Sequence, residues 1–285
     1  MQVNKKDTFV DLHIHTAFSD GTFSPEETVA FAQKKNLAAI AITDHDCVDA
    51  IPRCIKAAKG TGLEIIPGIE LAAQIDDLEI HLLGLCIDWQ SPWFLEKLKE
   101  IRQARLERMR KMIEKLNHEG IDITEEDVLA FSASSESVGR LHLARALLEK
   151  GKVDTFREVF ERYIGDGKSC YVRRLTITFE EGIRMIRELK GIVILAHPAV
   201  LGHDELIPEL AKAGLMGIET IHSDQTGNVS KYYARLARQY GLVVSGGSDC
   251  HGMGKGHPLM GALKVPYSVL ENIKKVRGLE YNLSD

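Results

Sequence analysis

The chain has 285 residues, of which 44% are hydrophobic and 27% are charged, and its formal net charge is -5. These values are typical of a soluble globular protein and argue against a strongly basic protein that coats nucleic acid, although they leave room for a local basic groove. No apolar run approaches the ~20 residues that span a bilayer, and residues 1–7 lead into no apolar stretch of the kind found in a signal peptide.

The first 85 residues predict short strands that alternate with helices. Ser24 followed by Pro25 is typical of a helix start, with an N-cap and a proline at the first helical position. The segment 37–43 is short, apolar and bounded by polar residues, which favours a buried strand. Strands are expected at 8–13, 37–43, 63–70 and 78–85, and helices at about 25–35 and 48–59. This alternation is typical of βα units and of a mainly parallel sheet.

Residues 91–167 interrupt this alternation, because they contain little strand signal. The charged stretch from Glu96 to Glu119 has apolar residues at helical spacing. Shorter helical patterns follow at 125–131, 139–149 and 154–163. We therefore predict a helical insertion at 91–167 that covers the substrate, and a barrel domain composed of residues 1–90 and 168–285.

Strands and helices alternate again after the insertion. Helices are expected at 179–189, 206–213, 228–240 and 269–276, and strands at 191–197, 217–220 and 242–245. Together with the N-terminal strands, the sequence predicts about seven strands. A sheet of this size with helices between its strands is expected to close into a barrel. Barrel enzymes carry their chemistry at the C-terminal ends of the strands, so reactive polar residues are expected to accumulate there.

Potential metal ligands lie at or beside the predicted strand ends. They are His13, His15, Asp20, His45, Glu70, His81, His197, Asp249 and His251. His13 and His15 point to the same side of an extended chain, because strand side chains repeat every second residue. Mixed imidazole and carboxylate ligands suit Mn, Fe or Zn better than Mg or Ca. One catalytic zinc usually takes three protein ligands, so this set predicts two or three ions.

Each of these signals also has a structural explanation. A histidine pair in a strand is often only packed, Asp46 could cap the following helix, and Glu70 could be a surface carboxylate. Their conjunction at several strand ends favours a metal centre over these separate explanations.

The motifs resemble those of the polymerase and histidinol phosphatase (PHP) superfamily. They are Asp11-Leu-His-Ile-His15, Ser19-Asp20-Gly21, Ile42-Thr-Asp-His45-Asp46, Pro67-Gly-Ile-Glu70, Leu195-Ala-His197-Pro198 and Gly247-Ser-Asp249-Cys-His251. The resemblance covers nearly the whole chain and fills all nine ligand positions. It implies an α/β fold, a distorted (β/α)7 barrel with a helical insertion. It also implies three metal sites, formed by His13, His15, Glu70 and Asp249, by Glu70, His81 and His197, and by Asp20, His45 and His251.

The resemblance further implies a phosphoesterase in which two or three divalent ions, most of all Mn, with Fe or Zn as alternatives, activate a hydroxide and hold the phosphate. His222 or a metal-bound water would protonate the leaving group. The insertion is similar to that of small members that act on nucleotide 3',5'-bisphosphates and trim short RNA from its 5' end. Arg140 and Lys168 are therefore candidate phosphate ligands, although Arg140 could also be a surface charge. Glu219 is either a partner of a ligand histidine or a strand-end charge.

Three other functions stay open. A histidinol-phosphate phosphatase would share the metal ligands but not the insertion motif. A non-catalytic PHP interaction module should have lost ligands, and a metal-dependent amidohydrolase usually has a bridging lysine that no strand end supplies here. The expected partner is a small nucleotide or a short oligonucleotide, with no membrane and no obligate protein partner. The five scattered cysteines form no C-x-x-C pair and fit a cytoplasmic protein.

Overall fold

The computed structural model describes residues 8–76, 78–131, 138–165, 167–173 and 177–281. Residues 1–7, on which the expectation of no signal peptide depends, lie outside these ranges. Within them, no helix is both long enough and apolar enough to cross a bilayer.

The described residues form a mixed α/β fold around one sheet. Its strands are β1 Phe9–Asp11, β2 Leu37–Ile42, β3 Glu64–Ile75, β4 Leu78–Leu85, β5 Ile177–Thr178, β6 Ile192–Leu195, β7 Gly217–His222, β8 Val243–Gly247 and β9 Val265–Pro266. The helices are α1 Pro25–Lys34, α2 Ile51–Ala58, α3 Pro92–His118, α4 Glu125–Leu129, α5 Arg140–Glu149, α6 Phe156–Val159, α7 Phe179–Glu188, α8 Pro198–Leu201, α9 Ile207–Ala213, α10 Gly227–Gln239 and α11 Tyr267–Tyr281. A π-helical turn, Phe160–Ile164, follows α6.

The sheet is a nearly closed barrel. Its strand order is β8-β7-β6-β4-β3-β2-β1-β9, and β5 pairs with β3. The Leu12 N–H donates to the Gly246 carbonyl at 3.2 Å, which joins the chain after β1 to β8. Apart from β5 and β9, which have two residues each, seven strands form the barrel. The expected seven-stranded barrel is therefore confirmed.

The sheet is mainly parallel, as expected. The exceptions are the short β9, antiparallel to β1, and β4, which runs antiparallel to both β3 and β6. β3 continues past its predicted end at Glu70, and a short connection at Asp76 leads directly into β4. Such a connection joins only antiparallel strands, because parallel neighbours need a long crossover. Glu70 and His81 therefore lie inside a hairpin and not at strand ends. His81 pairs with Ala72, two residues after Glu70, so both side chains share one face.

Local sequence explains the other elements well. Ser24 and Glu27 form a reciprocal capping box at the start of α1, with Pro25 at the first position, as expected. β2 is apolar on both faces: Ala39 and Ala41 join the core inside the barrel, while Ile40 and Ile42 join the core under the helices. A strand covered on both sides reads as a continuous apolar run.

The insertion is helical, as predicted, and its helices pack around a core of their own. That core includes Met109, Met112, Leu116, Leu143, Leu147 and Val159. The predicted domain limits at 90/91 and 167/168 stay a prediction. The insertion helices lie beside the barrel end that carries the predicted ligands, because Arg105 of α3 pairs with Asp46 and Arg145 of α5 contacts Asp20.

Candidate metal centre

The structure brings all nine predicted ligands together at one end of the barrel. The chain after β1, the loops after β2, β6 and β8, the loop before α1, and the β3–β4 hairpin all contribute. Within the described residues their side chains form overlapping groups. The ligand atoms lie within 4.8 Å of one another in each of three sets: His13, His15, Glu70 and Asp249; His15, Asp20, His45 and His251; and His45, Glu70 and His81. Nε2 of His197 lies 3.1 Å from Oε1 of Glu70. We call these the first group (His13, His15, Glu70, Asp249), the second group (Glu70, His81, His197, with His45 beside them) and the third group (His15, Asp20, His45, His251).

The first group is buried and closely spaced, with only the Asp249 side chain partly exposed, at 12%. The Nε2 atoms of His13 and His15 lie 3.3 and 3.1 Å from Oε2 of Glu70. The same two nitrogens lie 3.4 and 3.1 Å from Oδ1 of Asp249. Donors about 2.1 Å from one ion lie about 3.0–3.4 Å from each other in octahedral or tetrahedral geometry. The spacing therefore fits a shared metal ion.

Glu70 connects the groups through its two oxygens. Its Oε1 lies 2.9 Å from Nδ1 of His81 and 3.1 Å from Nε2 of His197. Its Oε2 also lies 3.1 Å from Nδ1 of His45. Backbone hydrogen bonds from Glu70 to Asp44 and from Asp46 to Glu70 hold the β3 strand beside the His45 loop. The two oxygens of this carboxylate thus face different sets of imidazoles.

The third group lies between the loops. Oδ1 of Asp20 lies 3.2 Å from Nε2 of His251 and 3.6 Å from Nδ1 of His15. Oδ2 of Asp20 lies 3.7 Å from Nε2 of His45. His15 consequently faces the first group with one ring nitrogen and the third group with the other.

Burial and charge support cations in these groups. Among the described residues, Oδ1 of Asp20 and Oε2 of Glu70 are buried oxygens that accept no hydrogen bond. Burial alone would raise the pKa of Glu70, but the imidazoles of His45, His13 and His81 hold that pKa well below its usual range. Such a buried, ionised carboxylate, with one oxygen that accepts no hydrogen bond, needs positive charge beside it. The residues present therefore fit divalent ions held by imidazole and carboxylate donors.

The backbone at the site is held in unusual conformations. Asp46, His197 and Asp249 have φ angles of 48°, 27° and 50°, a region that non-glycine residues rarely occupy. At Gly247 an added Cβ would overlap the backbone of His13, so only glycine lets β8 approach β1 this closely. Such strain is typical of places where the surrounding structure must aim side chains at one point.

Buried carboxylates orient the ligands. Glu219, fully buried on β7, accepts from Nδ1 of His13 at 3.1 Å and from the His197 N–H at 2.8 Å. The bond at Nδ1 leaves Nε2 of His13 facing the first group. Of its two sequence readings, partner of a ligand histidine and strand-end charge, the structure therefore favours the first. Asp44 accepts from the Thr16 N–H and hydroxyl at 2.7 Å each, which fixes the loop after His15. Sequence reasoning missed Asp44, although it directly precedes His45.

His222, predicted to act in catalysis, lies beside the first group. Its Nδ1 accepts a hydrogen bond from the Asp224 N–H at 3.2 Å, so in the neutral ring the proton is on Nε2. That Nε2 is buried, makes no hydrogen bond to the described residues, and lies 3.8 Å from Oδ2 of Asp249. The geometry therefore places this imidazole nitrogen at the edge of the first group.

A cavity of about 280 Å³ opens above the ligands, between the barrel and the insertion. Arg140 lines it, as predicted, together with Arg105 and Arg108 of α3, which sequence reasoning missed. Lys168 is exposed and is not part of the cavity wall, so its role as a phosphate ligand stays a prediction without geometric support. The described wall contains no lysine. Its apolar part consists of Met109, Met112, Val138, Leu141, Leu143 and Phe160.

Glu79 also lines the cavity and was missed from the sequence. Its Oε1 lies 3.5 Å from Nε2 of His81 and 3.6 Å from Nη2 of Arg140. It therefore orients a predicted ligand and lowers the net positive charge around Arg140. The sequence carries no signal for Glu79, because a single Glu two residues before His81 on a strand belongs to no recognisable motif.

Comparison with known proteins agrees with this geometry. The sequence profile of the PHP domain matches residues 11–168. The chain is 32% identical over 252 residues to the 3',5'-nucleoside bisphosphate phosphatase of Chromobacterium violaceum, covering 87% of this chain and 88% of that protein. It is 35% identical over 248 residues to the 5'-3' exoribonuclease Rnm of Salmonella typhimurium, covering 85% and 84%. The crystal structure of a proposed metal-dependent phosphoesterase from Bifidobacterium adolescentis superposes with a TM-score of 0.86 at 29% identity, covering 95% and 96%.

Proposed function

The chain belongs to the PHP domain family, and on this premise we propose that it is a metal-dependent phosphoesterase that hydrolyses phosphate esters of nucleotides. One observation carries the proposal: the first and second ligand groups share one buried carboxylate, Glu70, and the first and third share His15, at the floor of a cavity with arginines in its wall. The substrates are 3',5'-bisphosphate nucleotides, the 5' end of short RNA, or both, in line with the activities named for its relatives.

The nine ligands would hold two or three divalent ions, most of all Mn, with Fe or Zn as alternatives. When bound, such ions lower the pKa of a water molecule to supply hydroxide and neutralise charge on the phosphate. The protein's own part is to hold the donors rigidly. The bonds of Glu219 to His13 and His197 and those of Asp44 to Thr16 support this role.

Arg140 is proposed to bind a phosphate, because its guanidinium lines the cavity on the insertion side. Arg108 of α3 lines the same wall. The side chains of Met109, Met112 and Phe160 offer an apolar surface for the sugar and base. A cavity of about 280 Å³ is at the small end of ligand pockets, which favours one terminal nucleotide over a long strand inside it.

His222 is proposed as the proton donor to the leaving oxygen. Its Nε2 lies 3.8 Å from Oδ2 of Asp249, and the protonated ring would pass its Nε2 proton to the leaving oxygen and become a neutral imidazole. A metal-bound water stays the alternative donor, as in the sequence analysis. General acid catalysis of this kind contributes about 10²–10⁴-fold to a rate.

The other functions have less support. A histidinol-phosphate phosphatase needs no apolar wall next to the phosphate arginines, and the relatives described above carry nucleotide and RNA activities in their names. A non-catalytic module would not keep nine converging ligands. The amidohydrolase alternative lacks its lysine among the described residues that line the cavity.

The test is phosphate release by the Mn-loaded protein from adenosine 3',5'-bisphosphate, beside histidinol phosphate and a 5'-phosphorylated short RNA. Hydrolysis of the bisphosphate or the RNA, with histidinol phosphate inert, supports the proposal. Glu70→Gln should abolish this activity, while Arg157→Ala, with a side chain 84% exposed on the insertion, serves as a folded control. Turnover of histidinol phosphate alone would leave the metal centre standing and overturn the nucleotide assignment.

A cytoplasmic location is part of the proposal. All five cysteines are free, which agrees with a reducing compartment. We propose no obligate protein partner and no membrane association. Fractionation of cells that produce the tagged protein would test the location directly.

A further inference from the structure

Two arginines of the helical insertion hold the loops that carry the third ligand group. On α5, Nη2 of Arg145 donates to the main-chain oxygen of Asp20 at 2.8 Å. On α3, Arg105 is only 8% exposed and forms an ion pair with Asp46, the residue after His45. Each arginine thus crosses from the insertion to a barrel loop that carries a predicted ligand.

The Asp20 loop and the His251 loop are also joined to each other. The Thr22 N–H donates to the His251 carbonyl at 3.2 Å, and the Met253 N–H donates to the Thr22 hydroxyl at 2.7 Å. Gly254 lies directly beside the Arg145 guanidinium, and a Cβ on this glycine would overlap Nη2. The guanidinium therefore occupies the junction of the two loops, and only glycine at position 254 leaves room for it.

We propose that Arg145 is a positioning residue that fixes the Asp20 and His251 loops for metal binding, so that docking of the insertion and occupancy of the third group are coupled. Arg105 acts in the same way on the loop that carries His45. The inference rests on the proposed function, because it requires a metal ion at the third group. Coupling between two binding events is reciprocal. If docking of α5 raises the affinity for the ion by some factor, the bound ion must strengthen the docking of α5 by the same factor.

The expected size of the effect follows from how Arg145 acts. Partners that orient metal ligands typically change metal affinity by about 10–100-fold. Arg145 contacts the main chain of Asp20 and not its carboxylate, so Arg145→Ala should weaken this ion by about tenfold, at the lower end of that range. Arg145→Lys keeps the charge and a donor, and should restore part of the loss.

Gly254→Ala is an independent way to remove the contact between the Arg145 guanidinium and the two loops. Its methyl group would push the guanidinium away from the junction, so the single variant should weaken the ion as Arg145→Ala does. In Arg145→Ala the guanidinium is absent, and adding Gly254→Ala should then change little. Such non-additivity identifies a direct contact between the two positions.

The experiment measures Mn binding to the full-length protein by calorimetry and by metal analysis after gel filtration. Asp20→Asn identifies the ion of the third group, because Asp20 belongs to that group alone. The ion whose binding this variant removes or weakens is therefore the third-group ion. Arg157→Ala and Gly227→Ala are the matched controls, since Arg157 is exposed on the insertion and a Cβ at Gly227 meets open space. Hydrogen exchange of α5, with and without Mn, provides the reciprocal readout.

The expected result is selective weakening of the Asp20-dependent ion in Arg145→Ala and Gly254→Ala, no further loss in the double variant, and slower exchange of α5 when Mn is bound. Unchanged affinity for that ion in folded Arg145→Ala protein would overturn the positioning role while leaving the metal centre intact. If wild-type protein binds no ion that Asp20→Asn removes, the third site of the proposed function fails, and this inference fails with it.

Discussion

Replacement of Glu219 by Gln tests how far the buried partners of the ligands determine metal binding. The carboxylate accepts from Nδ1 of His13 at 3.1 Å and from the His197 N–H at 2.8 Å, with no solvent exposure. Gln has nearly the same size and keeps one acceptor oxygen, so the fold should persist. The change removes a buried negative charge directly behind a ligand of the first group.

The magnitude follows from the two bonds. A hydrogen bond to a charged group contributes about 1.5–3 kcal/mol and a neutral one about 0.5–1.5 kcal/mol, so the His13 bond should lose about 1 kcal/mol or somewhat more. A second loss comes from the amide group, which cannot satisfy both donors with its one oxygen. Since about 1.4 kcal/mol corresponds to a factor of ten, metal affinity at the first group should fall by about 10–100-fold.

The assay is Mn competition against a chelator of known affinity, together with thermal unfolding of the metal-free protein. Glu205→Gln is the matched control, because Glu205 also pairs with a histidine, His203, at 2.7 Å, but its side chain is 69% exposed. A Glu219→Gln protein that is folded and binds every Mn ion as tightly as wild type would refute the reasoning.

Further predictions concern protonation, catalysis and stability. Burial lowers the pKa of His15 and His81, but contacts with carboxylates outweigh it and raise these pKa values to about 10 and about 9, so both rings carry a proton at pH 8 in the metal-free protein. Burial likewise lowers the pKa of His13, but Glu219, Glu70 and Asp249 outweigh it and raise this pKa well above its usual value. Ligand histidines must be neutral, so metal binding at pH 8 should release at least two protons and strengthen as pH rises, which calorimetry in buffers of different ionisation enthalpy can measure. His222→Gln should lower kcat by about 10²–10⁴-fold and remove one limb of the pH–rate profile, with metal content unchanged. Arg140→Ala should raise KM by about tenfold in steady-state kinetics while Arg157→Ala leaves it unchanged. Leu82→Ala, at a fully buried position of β4, should lower the free energy of unfolding in urea by about 2–5 kcal/mol, against less than about 0.5 kcal/mol for Leu279→Ala at a 72% exposed position.

The convergence of the candidate ligands could be predicted from the sequence because their spacing is local. His13 and His15 follow the first strand, and Asp249 and His251 follow the last long strand, so short motifs already place these side chains at one barrel end. The seven-stranded barrel followed for the same reason, since each apolar run is bounded by polar residues.

Contacts between distant segments were not predictable in this way. Nothing local to Arg105 or Arg145 indicates that each reaches a barrel loop, because the partner residue lies far away in the chain. The antiparallel hairpin was missed because the apolar stretch runs on beyond Glu70 to Ile75, while the motif ending at Glu70 suggested that the strand ended there. Lys168 is exposed and lies outside the cavity wall, so its proposed role stays a prediction.

The position of the insertion has a consequence for folding. β4 and β6 are neighbours in the barrel, with Leu85 opposite Ile192, although the whole insertion lies between them in the chain. The entropic cost of closing such a connection grows only with the logarithm of its length, so insertions of other lengths should be tolerated here. A helical insertion that folds around its own core also shortens the effective distance that the chain must close. The helical insertion can therefore change in length and sequence at little cost to barrel closure. Any insertion that replaces it must, however, again supply partners for the loops of Asp20 and His45, as Arg145 and Arg105 do here.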